Sequence, residues 1–200
     1  MTDPLYIEAI HALRSAVDQA RRHEIPEPYS AALATADTQA HPSVRMITVA
    51  AVEQSGLLFF VDTRSGKAQQ LRDNPSCGLC FFWRTLGQQV NVQGKVEILD
   101  EALSDQYWST RSRERKLASW AYEGPVPAEN DAADPAARVE AYDTRFRAQA
   151  VERPDHWSAL RLHPYEFRFW KLGWSDLHER VAYSQDEAGQ WNKHVLDPFS

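Results

Sequence analysis

Short apolar runs of strand length, separated by turn residues, fill most of this chain and restrict its fold more than any other feature. Val44-Arg45-Met46-Ile47-Thr48-Val49 is followed, after Gln54-Ser55-Gly56, by Leu57-Leu58-Phe59-Phe60-Val61. A third run leads from Cys77 to Trp83, and Val90-Asn91-Val92-Gln93 alternates with a period of two. Period-two patterning belongs to strands with one buried face. The pattern predicts strands over 29–36, 43–52, 57–62, 77–84 and 88–99, then over 158–163, 166–171, 179–185 and 190–195. Asp3-Pro4 supplies an N-cap and a proline for the first helical turn. Leu5, Ala9, Leu13, Ala16, Val17 and Ala20 continue it as one stripe, giving an N-terminal helical segment over 1–25. Ser65 heads a short helix, Gly66 to Asp73. Asp100 opens a helical region running past Tyr107 and Trp108, and Asp134-Pro135 opens another to about Ala150. Residues 124–135 form a Pro/Ala/acidic loop, long enough to be either functional or mobile. Strands dominate both halves with no regular strand–helix–strand alternation. The expected fold is mostly β: an antiparallel barrel with peripheral helices, not a doubly wound parallel sheet.

The 200 residues suit one domain, 1–200. A net charge of −6 argues against nucleic acid as a partner. The apolar run ending at Trp83 is about seven residues, against roughly 20 for a membrane span, so no membrane partner is expected. Met1-Thr2-Asp3-Pro4 carries neither a basic nor an apolar leader region, and a cytoplasmic protein is the expectation. Cys77 and Cys80 are three apart, which in a strand sends them to opposite faces. They read as two small apolar strand residues, and no metal site is expected.

Several residues could carry chemistry. Ser65-Gly66-Lys67 stands where a helix begins, and helix N-termini attract anions; taken alone, the triplet reads more readily as an ordinary cap with a solvated lysine. Arg45 is a second cation for a phosphate. Gln88 and Gln89 precede an alternating strand and face either a ligand or water. His178 and Arg180, two apart, share a strand face and could steady an anion or a developing negative charge. Tyr107, Arg111 and Arg115 recur at a spacing of four, so a continuous helix would align them as a phosphate-binding stripe or as a solvated basic face.

The order of these residues from about Ala31 to Arg180 resembles the pyridoxine/pyridoxamine 5'-phosphate oxidase family. The matches are Arg45, Ser65-x-Lys67-Ala68, Asn74-Pro75, Trp83-x-Thr85-Leu86, Gln89-Val90, Gly94-Lys95, Glu166-Phe167 with Phe169-Trp170, and Leu177-His178-Glu179-Arg180. The resemblance implies an FMN-binding split β-barrel and a homodimer with FMN at the subunit interface. It implies that Arg45, Ser65 and Lys67 line the FMN phosphate site, and that Gln89, Trp170 and Arg180 surround the ring. It further implies a small-molecule substrate held by Tyr107 and Arg111, with His178 orienting the reacting group. The implied reaction is oxidation of pyridoxamine or pyridoxine 5'-phosphate to pyridoxal 5'-phosphate by dioxygen. Three positions depart from the family pattern: Ala50 replaces a lysine, Arg115 a serine and Asp176 an arginine. A Gln-Ser pair of the family falls at about Gly124-Pro125. Ala32-Leu33-Ala34-Thr35-Ala36-Asp37 also resembles a phenazine-biosynthesis branch, which lacks the same lysine. The alternatives are therefore an FMN oxidoreductase acting on another ring, with Asp176 meeting a cationic or hydrogen-bond-donating group, or a flavin- or ligand-binding protein without catalysis.

Overall fold

The computed structural model describes residues 3–23, 26–122, 134–174 and 177–197. Helix α1 (Pro4–Arg22) begins where Asp3 accepts a hydrogen bond from the Leu5 amide, with proline in the first turn. Strands β1 (Ser30–Ala36), β2 (Pro42–Glu53) and β3 (Gly56–Asp62) follow as a meander, then helix α2 (Gly66–Asp73) and strands β4 (Ser76–Trp83) and β5 (Gln88–Ile98). Helices α3 (Glu101–Ser109), α4 (Arg113–Ala121) and α5 (Pro135–Arg145) precede β6 (Trp157–Lys171), β7 (Glu179–Gln185) and β8 (Trp191–Val195). The strand order is β3-β2-β1-β4-β5-β6-β7-β8, and β3 also pairs with β6. That last pairing closes six strands into a barrel, with β7 and β8 continuing the sheet beyond β6. The expected antiparallel barrel with helices outside it is what forms.

The chain divides into two interleaved compact units. The first holds residues 1–59, 70–97 and 161–200. Its inward rows include Leu33, Leu79 and Val92, all buried. Tyr6 of α1 packs its ring against Trp191 at 5.3 Å. Tyr183 donates to Glu8 at 2.8 Å and Lys193 donates to the same carboxylate oxygen at 2.7 Å, which pins α1 to β7 and β8. The second unit holds residues 60–69 and 98–160, and its core is Trp108, Leu117, Phe146, Val151 and Trp157.

The helical region opened by Asp100 runs past Tyr107 and Trp108 as expected, and α3 ends at Ser109. The Ser109 and Thr110 hydroxyls donate back to the Gln106 and Tyr107 carbonyls, competing with the next helical bonds, and Ser112 starts a new helix by accepting from the Arg115 amide. Two expectations need correction. The helix from Asp134 stops at Arg145, not near Ala150, because Phe146 turns into the core and its amide bonds back to Tyr142 and Thr144. The two strands expected at 158–163 and 166–171 are one strand. Pro164 lies within β6: its fixed φ suits extended backbone, and only one donor is lost. The loop expected at 124–135 lies outside the described residues except for Asp134 and Pro135, which start α5.

Candidate functional site

In the first unit, Arg45 projects from the inward row of β2. Its guanidinium donates to the Thr35 hydroxyl at 2.6 Å, and more weakly to the Leu33 carbonyl and Gln70 Oε1, each at 3.4 Å. Thr35 in turn donates to Gln70 at 2.6 Å, and Gln70 donates to Ser43 at 3.2 Å. Burial lowers the Arg45 pKa from its ordinary value. Among the described residues, none of the hydrogen-bond partners of its guanidinium is a carboxylate. Sequence reasoning missed Thr35 and Gln70. Thr35 could have been found, since period two places its hydroxyl in the same inward row as Leu33.

In the second unit, the link from β3 to α2 carries Ser65 and Lys67. Ser65 is buried. Its hydroxyl donates to the Asp62 carbonyl at 2.6 Å, while its own carbonyl accepts from the Ala68 and Gln69 amides to start α2. Beside it, Gly66 has open space where a Cβ would stand, so the start of the helix is approachable. Asp62 organises this turn. Its carboxylate binds the Arg64 side chain and amide, and Arg64 reaches the Tyr122 carbonyl at 2.9 Å. Within the second unit, a lysine in the first turn of α2 and an approachable helix start are groups that suit an anion.

Gln89 and Trp170 line one cleft of about 270 Å³ in the first unit, together with Gln88, Phe169 and residues of α1. Trp170 stands opposite Arg180 in the β6–β7 register, and the His178 ring lies 4.7 Å from the Trp170 ring, tilted by 57°. His178 precedes β7, so the shared strand face expected for His178 and Arg180 does not apply. The Gly173 amide reaches His178 Nδ1 at 3.5 Å. Arg180 donates to the Asp197 carbonyl at 3.4 Å. Asp176 lies outside the described residues.

Tyr107, Arg111 and Arg115 all belong to the second unit but sit on α3, on the link and on α4, not on one helical stripe. Arg111 lies among aromatic rings. Its guanidinium carbon is 5.1 Å from the Phe60 centroid, 5.2 Å from Trp157 and 5.8 Å from Trp108. Its polar contacts are long, 3.4 Å to the Ser119 hydroxyl and 3.4 Å to the Arg115 carbonyl, and its buried Nε has no partner among the described residues. Burial, and then the charge of Arg115, lower its pKa. Arg111 is thus a half-buried cation held by rings, beside a second cation and with no carboxylate partner among the described residues, a setting suited to an anion. The rings around it were not legible in the sequence, because Phe60 and Trp157 are some hundred positions apart along the chain. Ala50 is exposed on β2 at a register slip between Val49 and Ala51, so it is unpaired with β3.

Residues 17–171 match the pyridoxamine 5'-phosphate oxidase family, and residues 157–198 match the pyridoxine 5'-phosphate oxidase C-terminal dimerisation region. The pyridoxine/pyridoxamine 5'-phosphate oxidase of Pelagibacter ubique is 32% identical over 193 residues, covering 96% of this chain and 92% of that one. The Maricaulis maris enzyme of the same description is 36% identical over 182 residues, covering 90% and 81%. Among solved structures, PhzG from Burkholderia lata 383 in complex with tetrahydrophenazine-1-carboxylic acid superposes with a TM-score of 0.87 at 26% identity, covering 99% of this chain and 98% of that one. A pyridoxamine 5'-phosphate oxidase-related, FMN binding protein from Nostoc punctiforme shares the fold, with a TM-score of 0.75 at 19% identity, covering 94% and 96%. The family match and the closed barrel define an FMN-dependent oxidoreductase of the split-barrel class. The chain belongs to the pyridoxamine 5'-phosphate oxidase family.

Proposed function

We propose that the protein is an FMN-dependent oxidase of a small ring substrate that carries an anionic group, and that its first substrate is pyridoxamine or pyridoxine 5'-phosphate, with dioxygen as the acceptor. Arg111 carries this reading: it is held by rings, has no carboxylate partner among the described residues, and would take the substrate phosphate together with Tyr107 and Arg115. Arg45, Ser65 and Lys67 contact the FMN phosphate in this reading, and Gln89, Trp170 and Arg180 border the ring. The flavin supplies hydride acceptance, and the protein supplies binding and orientation. His178, backed by Trp170, orients the amine or hydroxyl that reacts. Asp176 takes part in substrate recognition. The working unit is a homodimer, supported by the match of residues 157–198 to a dimerisation region.

A second reading has support of its own. Ala50 offers no cation, and the PhzG structure at a TM-score of 0.87 holds a tricyclic carboxylic acid. Arg111 and Arg115 could hold a carboxylate as they would a phosphate. Anaerobic addition of pyridoxamine 5'-phosphate to the FMN-loaded protein separates the two: bleaching of the flavin absorbance is the expected result. No bleaching with either B6 phosphate, but bleaching with a dihydro- or tetrahydrophenazine carboxylate, would overturn the first reading in favour of the second.

A further inference from the structure

Four polar side chains at the inward row of β1 and β2 form one run of hydrogen bonds with a single direction. Leu33 stands opposite Arg45 in the register and Thr35 opposite Ser43, so the period of two brings Thr35, Ser43 and Arg45 to one face. Gln70 reaches them from α2. Its amide nitrogen donates to the Ser43 hydroxyl at 3.2 Å, which sets its oxygen towards Thr35 and Arg45. That oxygen accepts from the Thr35 hydroxyl at 2.6 Å and from Arg45 Nη2 at 3.4 Å. A hydroxyl has one proton. Having given it to Gln70, Thr35 meets Arg45 Nη1, 2.6 Å away, as an acceptor only. Thr35 is 3% exposed, so water does not replace either contact. The guanidinium is thus held by three neutral oxygens, those of Thr35, Gln70 and the Leu33 carbonyl, while its Nε has no partner among the described residues.

We propose that Thr35 and Gln70 are positioning residues for the cofactor: they hold Arg45 ready for the FMN phosphate and leave its charge uncompensated. The inference rests on the reading, given above, that Arg45 contacts that phosphate. An arginine side chain has many rotamers, and ordering it at the moment of binding subtracts from affinity. Here the ordering is complete before the ligand arrives, because Thr35 and Ser43 stand on paired strands. The chemistry of the partners matters as much as their place. A carboxylate would hold the same guanidinium, but it would also neutralise it, and a phosphate would then compete with an internal ion pair. A hydroxyl and an amide oxygen orient the cation without neutralising it. Ser43 completes the arrangement, since its acceptor keeps the Gln70 amide from turning its nitrogen to the guanidinium.

The test compares FMN with riboflavin, which differ by the phosphate alone. Flavin fluorescence follows titration of the full-length apoprotein, with circular dichroism and urea unfolding as fold controls. Thr35→Val keeps the shape and removes the hydroxyl. It should weaken FMN binding about 3- to 10-fold and leave riboflavin unchanged, and Thr35→Ser should restore the FMN affinity. Gln70→Glu keeps the hydrogen bonds, because the Ser43 hydroxyl can turn to donate, but sets a carboxylate beside Arg45. It should weaken FMN about 10- to 150-fold, again without effect on riboflavin, while its urea midpoint stays at or above that of wild type. A merely structural role would not lower FMN affinity while stability is kept. If Thr35→Val does not fold, Gln70→Glu decides alone. Arg45→Met tests the reading beneath: a wild-type ratio of FMN to riboflavin affinity in that variant would remove Arg45 from the phosphate, and this inference with it. If Arg45→Met abolishes the preference for FMN but a folded Thr35→Val or Gln70→Glu retains it, or weakens both flavins equally, the inference alone is overturned.

Discussion

Arg64 clasps the carboxylate of Asp62, two residues before it, with Nε 3.0 Å from Oδ1 and Nη2 2.6 Å from Oδ2, while its amide donates to Oδ1 at 2.8 Å. The Asp62 side chain is 9% exposed, and His156 Nε2 stands 4.0 Å from the same carboxylate. The pair ties the end of β3 to the chain after α4 through the Tyr122 carbonyl, and so shapes the turn that carries Ser65 and Lys67.

Asp62→Asn should therefore loosen this turn. Burial raises the Asp62 pKa, but the hydrogen bonds and charge of Arg64, then His156, outweigh it and hold the carboxyl below its ordinary range. A folded-state pKa below the unfolded value stabilises the protein above about pH 4 and loses that contribution as pH falls through the folded value. Urea melts should show the wild type more stable than Asp62→Asn at pH 7, and the gap should narrow as pH falls below about 4. A gap that stays constant across this range would contradict the assignment. Fluorescence titration should also show weaker FMN binding in the variant, with riboflavin binding unchanged.

Arg111→Met should raise KM for the anionic substrate by about 10- to 150-fold, the worth of one charge-assisted contact. Arg111→Lys should recover only part of this, because an ammonium lacks the flat guanidinium face that lies among Phe60, Trp108 and Trp157. Arg115→Ala should cost less than Arg111→Met, since Arg115 is exposed. Steady-state kinetics of the three variants provide the check.

Gly94→Ala and Gly66→Ala should change stability in opposite directions. A Cβ at Gly94 would stand 2.3 Å from the His163 carbonyl oxygen and 2.8 Å from a Leu162 methyl, so β5 could not lie where it does against β6. The expected loss is about 1–3 kcal/mol in urea unfolding of the apoprotein. At Gly66 a Cβ meets nothing within 4 Å, and alanine there should add about 0.4–1 kcal/mol by restricting the unfolded chain.

Cys77 should be inert in the folded protein. Burial pushes its thiol up to about 12, so almost no thiolate exists at pH 8. Mass spectrometry after iodoacetamide should find Cys77 unmodified under native conditions and modified in denaturant. Both cysteines are free thiols, Cys77 buried and Cys80 half-buried on the other strand face, as the spacing of three predicts.

What could be read from the sequence was local. The Asp3-Pro4 helix start, α2 from Gly66 to Asp73 and the strands around Arg45 and Gln89 follow from caps and period-two patterning, which act over a few residues. The break between α3 and α4 is not legible in the sequence, because it depends on two hydroxyls choosing backbone carbonyls, a competition that spacing does not reveal. β6 was divided at Pro164 because proline lowers strand propensity, while closure of the barrel outweighs that preference. The candidate site divided in the same way. Arg45, Ser65, Lys67 and Gln89 stand out as candidates from their local sequence and from an order that resembles the family's. The partners that give Arg45 and Arg111 their character, Gln70 and Trp157 among them, are neighbours only after folding.

The rings around Arg111 also make the protein its own optical reporter. Trp108 and Trp157 lie 5.0 Å apart at 70°, with the guanidinium against both. Indole emission responds to nearby charge. An anion that draws Arg111 even slightly away from these rings would alter the emission of two tryptophans directly, in apoprotein and holoprotein alike. Ligand recognition could then be followed in real time, on unlabelled protein and before any turnover, with replacement of Trp120, outside the Arg111 ring set, reducing the background.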